Sequence, residues 1–120
     1  MGQARMQERR RIIRIGTPIL IEFDDPATGD TERSFTQDVS EEGMRFPSGV
    51  QFRAAQRVEF TLALPASNMT MRTVGEVQWV REIARHGGPQ YEIGVRFTWE
   101  DEQARDRLTG HLLGFLQPRK

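Results

Sequence analysis

Apolar and polar residues alternate through most of the chain between residues 17 and 97, as is typical of β-strands with one buried face. The clearest example is 57–64, where Val58, Phe60, Leu62 and Leu64 share one face. Weaker versions of the same alternation predict further strands at 17–23, 31–40, 44–46, 69–80 and 91–97. Short antiparallel strands of this kind favour a small, closed β-barrel.

Turn formers and one change of period complete the predicted architecture. Residues 24–30 read Asp-Asp-Pro-Ala-Thr-Gly-Asp, which predicts the turn of a hairpin. Near the C-terminus the period becomes helical, with one apolar face made of Ala104, Leu108, Leu112, Phe115 and Leu116. Acidic residues suit the first turn of a helix, and they occupy 100–102, while Pro118 stops it. We therefore expect one helix at about 100–117, packed against the barrel.

Composition limits the class of protein. The 120 residues suit one domain, and 17 basic side chains balance 17 acidic ones, so broad binding to nucleic acid or membrane is not expected. The chain has no cysteine, no apolar signal segment and no run long enough to span a bilayer, which predicts a cytoplasmic protein. Residues 1–14 are polar and rich in arginine, so we expect a flexible basic arm there and the barrel at 15–120.

Catalytic and metal-binding sites find little support in the sequence. His86 and His111 have no histidine or cysteine nearby, so the usual zinc ligands are missing and a serine nucleophile would lack its base. The acidic residues of 24–30 lack the spacing of a calcium loop. We expect a binding protein rather than an enzyme, with no metal and no cofactor.

Two short motifs are separated by about the length of a hairpin. Arg10 and Arg14 form an Arg-x-x-x-Arg pair, and Asp38, Ser40 and Gly43 form an Asp-x-Ser-x-x-Gly pattern. Twenty-three residues lie between Arg14 and Asp38, enough for one strand, a turn and most of a second strand. Because a hairpin brings its two ends together, the motifs are expected to meet at one rim of the barrel.

This combination resembles the signature of the PilZ domain family. Further similarity lies at 43–46, in the Gly-x-Val-x-Trp segment ending at Trp79, and in the Gly-Val-x-Phe segment 94–97. The resemblance covers residues 9–116 and implies a six-stranded antiparallel β-barrel of PilZ type with one C-terminal α-helix. It also implies a bacterial receptor for the second messenger cyclic di-GMP. The ligand-binding residues that it implies are Arg9, Arg10, Arg11, Arg14, Asp38, Ser40 and Gly43.

The chemistry of these side chains suits a guanine dinucleotide. An arginine fork fits the O6 and N7 acceptors of guanine, and its charge suits phosphate. Asp38 can accept from the N1–H and N2–H donors of the base, and the Ser40 hydroxyl can serve a base or a phosphate. Gly43 suits a turn or a close backbone approach. Arg9 could stack on a second ligand molecule, so binding of an intercalated cyclic di-GMP dimer is a hypothesis here.

These features together predict a ligand-gated adaptor. Ligand would order the arm, and the ordered arm would change the surface presented to a downstream partner protein that the sequence does not identify. Motility and exopolysaccharide synthesis are outputs that the family resemblance implies. Two alternatives stay open: a PilZ-like protein-interaction module that binds no nucleotide, and a small nucleic-acid-binding barrel, which the balanced charge disfavours.

Overall fold

A computed structural model describes residues 14–64, 68–83, 87 and 90–114. The expected arm, with Arg9, Arg10 and Arg11, lies outside the described residues apart from Arg14. The described elements are β1 (Leu20–Asp24), β2 (Thr31–Phe35), β3 (Asp38–Val39), β4 (Gly43–Ser48), β5 (Arg57–Leu64), β6 (Met69–Ile83), β7 (Gln90–Thr98) and α1 (Glu102–Gly114). This order of elements confirms a β-dominated fold that ends in a helix.

The strands form a single antiparallel sheet that curls on itself. Its order is β2-β1-β5-β6-β7-β4-β3, so consecutive strands are neighbours except for the pairs β2/β3 and β4/β5. The ends also approach each other, because the Ser34 hydroxyl in β2 donates to the carbonyl of Pro47 in β4 at 2.5 Å. The sheet therefore curls into the predicted small barrel.

The described sheet has seven strands, whereas the family resemblance implied six. The predicted strand 31–40 is divided, because the chain changes partner at Thr36 and Gln37. Thr36 is buried and exchanges hydrogen bonds with the backbone of Ile19, which lies beside β1. The next amide, Gln37 N–H, donates instead to the carbonyl of Arg45 in β4 at 2.7 Å. β2 consequently pairs with β1, and β3 begins a new ladder with β4.

Aromatic side chains fill the barrel interior. The rings of Phe23, Phe46, Phe52 and Phe60 meet at centroid separations between 5.4 and 6.5 Å. Phe46 and Phe60 are fully buried, and the other two rings are nearly so. Each such ring contributes about 1.5–3 kcal/mol by leaving water. Strand alternation directs Phe23, Phe46 and Phe60 inward, and Phe52 joins them from the segment between β4 and β5. The outer faces of the strands are left for other contacts.

Helix α1 packs against the barrel through the apolar face that the sequence predicts. Leu108 and Leu112 are buried and Ala104 is partly buried, while Phe115 and Leu116 lie outside the described residues. The helix begins later than expected because Asp101 caps it, accepting the N–H of Gln103 on its Oδ1 at 2.8 Å.

Candidate functional site

The β1–β2 hairpin brings the two ends of the predicted motif region together. Ile15 and Val39 exchange two backbone hydrogen bonds of 3.0 Å, which hold the chain before β1 against β3. Beside this bridge, Arg14 Nη1 lies 2.7 Å from Asp38 Oδ1. The turn itself forms where expected, since Asp25 Oδ1 accepts the N–H of Ala27 at 2.8 Å. The predicted meeting of Arg14 with Asp38 is therefore observed.

Asp38 begins a chain of alternating charges across the outer face of the sheet. Its second oxygen, Oδ2, lies 3.0 Å from Nη2 of Arg45, the residue directly opposite in the β3–β4 ladder. Arg45 Nη1 is 3.5 Å from Glu92 Oε2, and Glu92 also pairs with Arg81. Glu92 is only 4% exposed, so it holds the Arg45 guanidinium through a buried carboxylate. Both oxygens of Asp38 thus have arginine partners.

The rest of the Asp-x-Ser-x-x-Gly pattern shapes a turn. Ser40 is fully buried, and its hydroxyl accepts the N–H of Glu42 at 3.1 Å. Its backbone N–H donates to the carbonyl of Gly43 at 2.8 Å. The close approach expected at Gly43 is observed, because an added Cβ would stand 2.0 Å from the backbone oxygen of Val95. Ser40 and Gly43 therefore set the position of Asp38, and a direct ligand contact by the Ser40 hydroxyl stays a prediction.

A cavity of about 610 Å³ opens beside Asp38 on the outer face of β4, β6 and β7. This volume lies within the range of small-molecule sites, roughly 300–1,000 Å³. The cavity is lined by Arg14, Asp38, Glu42, Gly43, Met44, Arg45, Gln78, Trp79, Gly94, Val95 and Arg96. Three arginines and two carboxylates among these residues give it a mixed, slightly cationic wall.

A β-bulge aims Trp79 into the cavity wall. The β6–β7 ladder shifts register between Val77 and Trp79, leaving Gln78 as the extra residue. Val77 is buried, yet Trp79, two positions later, is 41% exposed instead of facing the core. The indole lies over Gly94, where an added Cβ would be only 2.2 Å from Trp79 Cε2. The bulge and the glycine together present an aromatic surface beside Asp38.

Sequence reasoning missed several residues of this wall. Arg45, Arg96 and Glu42 stand between or beyond the motif positions, and no local pattern marks them. Trp79 belongs to a segment that supports the family resemblance, but strict alternation would have put its ring inside the barrel. Of the predicted ligand-binding residues within the described ranges, Arg14, Asp38 and Gly43 line the cavity, whereas Ser40 lies beneath it.

Neither a metal-binding cluster nor a membrane-spanning helix occurs among the described residues. Across residues 14–64, 68–83, 87 and 90–114, no group of three histidine, cysteine or acidic side chains could hold a metal ion. Nor does that part of the chain contain a helix long and apolar enough to cross a bilayer. His86, one of the two histidines of the chain, lies outside the described residues.

The fold and the site define a small β-barrel domain with a polar, arginine-lined cavity on the outside of the barrel. The family model for the PilZ domain matches residues 4–114. This chain therefore belongs to the PilZ domain family. No match was found among the curated proteins compared with it.

Solved structures similar to this chain show the same fold. The PilZ domain of YcgR from Escherichia coli, solved with c-di-GMP, is 15% identical with a TM-score of 0.67, covering 88% of this chain and 90% of that one. The K. pneumonia MrkH–c-di-GMP complex is 16% identical with a TM-score of 0.72, covering 90% and 52%. MotI/DgrA, a Bacillus subtilis inhibitor of motility, is 12% identical with a TM-score of 0.69, covering 90% and 51%. The chain thus spans about half the length of MotI/DgrA and of MrkH.

Proposed function

We propose that this protein is a cyclic di-GMP receptor that binds its ligand in the cavity beside Asp38 and acts by binding rather than catalysis. The observation that carries the proposal is the convergence of Arg14 and Asp38, 24 positions apart in sequence, at 2.7 Å on the rim of that cavity. The family membership and the ligands named for the YcgR and MrkH structures support the choice of ligand.

Guanine matches the two motif side chains in complementary ways. The Asp38 carboxylate is acceptor-only when ionised, so it suits the N1–H and N2–H donors of the base. The guanidinium of Arg14 carries paired donors that suit the O6 and N7 acceptors or a phosphate. No adenine edge offers both patterns, so we expect selectivity for guanine.

We expect ligand binding to exchange partners at Asp38. Both of its oxygens contact arginines, so a guanine that bonds to both oxygens would take the place of one guanidinium. Arg14 is the one that we expect to leave, because its side chain is 52% exposed, whereas Arg45 is also held by buried Glu92. An exposed ion pair is worth about 0–1 kcal/mol, so this exchange costs little. The released guanidinium can then bind the ligand.

Trp79 supplies the aromatic part of the proposed site. Its indole lines the same cavity as Asp38 and is exposed on one side. Stacking of a base on an aromatic ring is worth about 1–3 kcal/mol. One guanine held at its edge by Asp38 and another on the Trp79 face would use both recognition modes of a dinucleotide.

We further propose that binding is relayed to a partner protein, and helix α1 offers a route. Glu41 lies inside the motif turn and is buried. Its Oε1 accepts from the Thr109 hydroxyl at 2.9 Å, and its backbone oxygen accepts from the Trp99 indole N–H at 2.6 Å. A ligand that shifts the turn would therefore act on α1 as well as on the arm. We also propose that the arm residues Arg9, Arg10 and Arg11 contact the ligand, as the family resemblance implies.

Calorimetric titration with cyclic di-GMP tests the receptor directly. We expect saturable binding to the wild type that survives excess GMP and oligonucleotide competitors. Arg14→Ala and Asp38→Ala should each weaken it by roughly 10-fold or more, since a hydrogen bond to a charged group is worth about 1.5–3 kcal/mol.

The matched control is Arg33→Ala, because Arg33 is another exposed arginine in an ion pair, with Glu22, and does not line the cavity. It should bind like the wild type. Absence of binding to the wild type, or equal losses in all three variants, would refute the proposed site. Binding of oligonucleotide in place of cyclic di-GMP would instead favour the nucleic-acid-binding alternative.

A further inference from the structure

Arg96 is an arginine of the cavity wall that belongs to neither motif. It projects outward from β7, directly opposite Gly43 in the β4–β7 ladder and two residues from Gly94. We propose that Arg96 binds a phosphate of the dinucleotide and so helps to select a doubly anionic ligand. This inference rests on the proposed function and adds a phosphate-binding residue to it.

The charges around the cavity leave Arg96 available for an anion. Arg14 is paired with Asp38, and Arg45 is shared between Asp38 and Glu92. Among the described residues Arg96 has no salt bridge, although it is exposed and lines the same cavity. Among the described arginines of the cavity wall, Arg96 is therefore the one that no carboxylate contacts in an ion pair.

The neighbour of Arg96 in the β6–β7 ladder is Glu76, which is engaged elsewhere. Glu76 Oε1 accepts the side-chain amide of Gln78 at 3.0 Å, and its backbone pairs with Arg57 on the other side. Glu76 reduces the field of Arg96 but does not hold its guanidinium in an ion pair. A phosphate that enters the cavity can thus bind Arg96 without first breaking a salt bridge.

The position of Arg96 along β7 favours phosphate over base. Trp79 covers Gly94, so a stacked base would lie above that residue. Arg96 follows on the same face two residues later, about 7 Å along the strand at the usual rise. A nucleotide joins its phosphate to its base through the sugar, so the phosphate lies beside the stacked base rather than beneath it. Arg96 stands at such a lateral position.

Glu42 is a negative charge in the same cavity wall, so its removal should affect phosphate binding in the opposite direction to the removal of Arg96. It lines the cavity, is exposed, and would repel a bound phosphate. Its role in the turn uses the backbone, since its N–H donates to Ser40 Oγ and its carbonyl accepts from Phe97 N–H. Glu42→Gln therefore removes the negative charge while keeping the turn, and it should tighten binding where Arg96→Gln weakens it.

The experiment compares four variants with the wild type by calorimetric titration of cyclic di-GMP at low salt. Arg96→Gln should weaken binding by roughly 10-fold or more, because a charge-assisted hydrogen bond is lost. Arg96→Lys should keep most of the affinity, since phosphate accepts a point charge, whereas a base edge needs the planar fork. Glu42→Gln should tighten binding severalfold. Arg72→Gln is the control, an exposed strand arginine outside this cavity, and should have no effect.

The outcomes separate this inference from the function on which it rests. Wild-type binding that Arg96→Gln leaves unchanged would overturn the role of Arg96 and leave the receptor standing. Equal losses in Arg96→Lys and Arg96→Gln would overturn the phosphate assignment, because they indicate a contact that requires the guanidinium plane. Failure of the wild type to bind would overturn the receptor and this inference together. Thermal melts should show every variant folded, since the side chains replaced are exposed.

Discussion

Replacing Gly94 with alanine should displace the Trp79 indole while leaving the barrel intact. The added Cβ would stand 2.2 Å from Trp79 Cε2 and 2.3 Å from Nε1. Carbon atoms in contact prefer a separation of about 3.5 Å or more, so the ring must retreat by roughly 1.3 Å or leave its place. Gly94 itself is fixed, because its strand pairs with β4 on one side and β6 on the other. The exposed ring is therefore the part that moves.

The expected effect falls on affinity rather than on stability. A base loses its stacking surface, worth about 1–3 kcal/mol, which corresponds to a roughly 5- to 150-fold weaker complex. The free energy of unfolding should change by less than about 1 kcal/mol, because alanine is favoured over glycine within a strand by roughly 0.5–1 kcal/mol and offsets the lost ring contact. Titration with cyclic di-GMP and urea denaturation measure the two quantities separately.

The Gly94→Ala variant is compared with Trp79→Ala and with a control glycine variant. Trp79→Ala should weaken binding by a similar factor, and the double variant should lose little more, because both changes remove the same contact. Gly49→Ala is the control, since an added Cβ there meets nothing within 4 Å. A folded Gly94→Ala variant that binds like the wild type would refute the role of the indole as a stacking surface.

Three further predictions concern the frame that holds the site. Gly43→Ala should lower the free energy of unfolding by about 1–3 kcal/mol or more, because the new Cβ meets backbone rather than a movable ring; wild-type stability in urea would contradict this. Glu41→Ala should cost about 1–3 kcal/mol, because it removes the hydrogen bond from Thr109 and the ion pair with Arg105 that join the turn to α1. Glu42→Ala should change stability little, and equal melting temperatures for the two variants would refute the link to α1. Phe46→Ala should lower the free energy of unfolding by about 3–5 kcal/mol, because Phe46 is fully buried. Phe35→Ala is the control and should change it by less than about 0.5 kcal/mol, because Phe35 is 56% exposed.

The predicted role of the arm can be tested by limited proteolysis. Cleavage within residues 1–14 should slow when cyclic di-GMP is added, because ordered backbone is a poorer protease substrate. An Asp38→Ala protein serves as the control, since at a ligand concentration that just saturates the wild type its cleavage should slow much less. Equal rates in the wild type would count against ordering of the arm.

Local sequence patterns determined much of the architecture and part of the site. Period-two alternation predicted the strands, turn formers predicted the 24–30 turn, and helical spacing predicted α1. The Arg14–Asp38 contact could also be predicted, since the separation of the two residues matches a hairpin whose ends lie side by side. These features depend on residues close in sequence, where backbone preference and the burial of one face are sufficient.

Contacts between distant segments decided the rest. The division of 31–40 into two strands depends on two adjacent amides with different partners. Thr36 N–H donates to Ile19, whereas Gln37 N–H donates to Arg45 in β4. The outward aim of Trp79 depends on a bulge in the β6–β7 ladder and on a glycine on the neighbouring strand. The engagement of Arg45 by Glu92 depends on the pairing of β4 with β7. Strand pairing and register couple residues far apart in the chain, so the charge and the aromatic surface of the cavity emerge only once the sheet has closed.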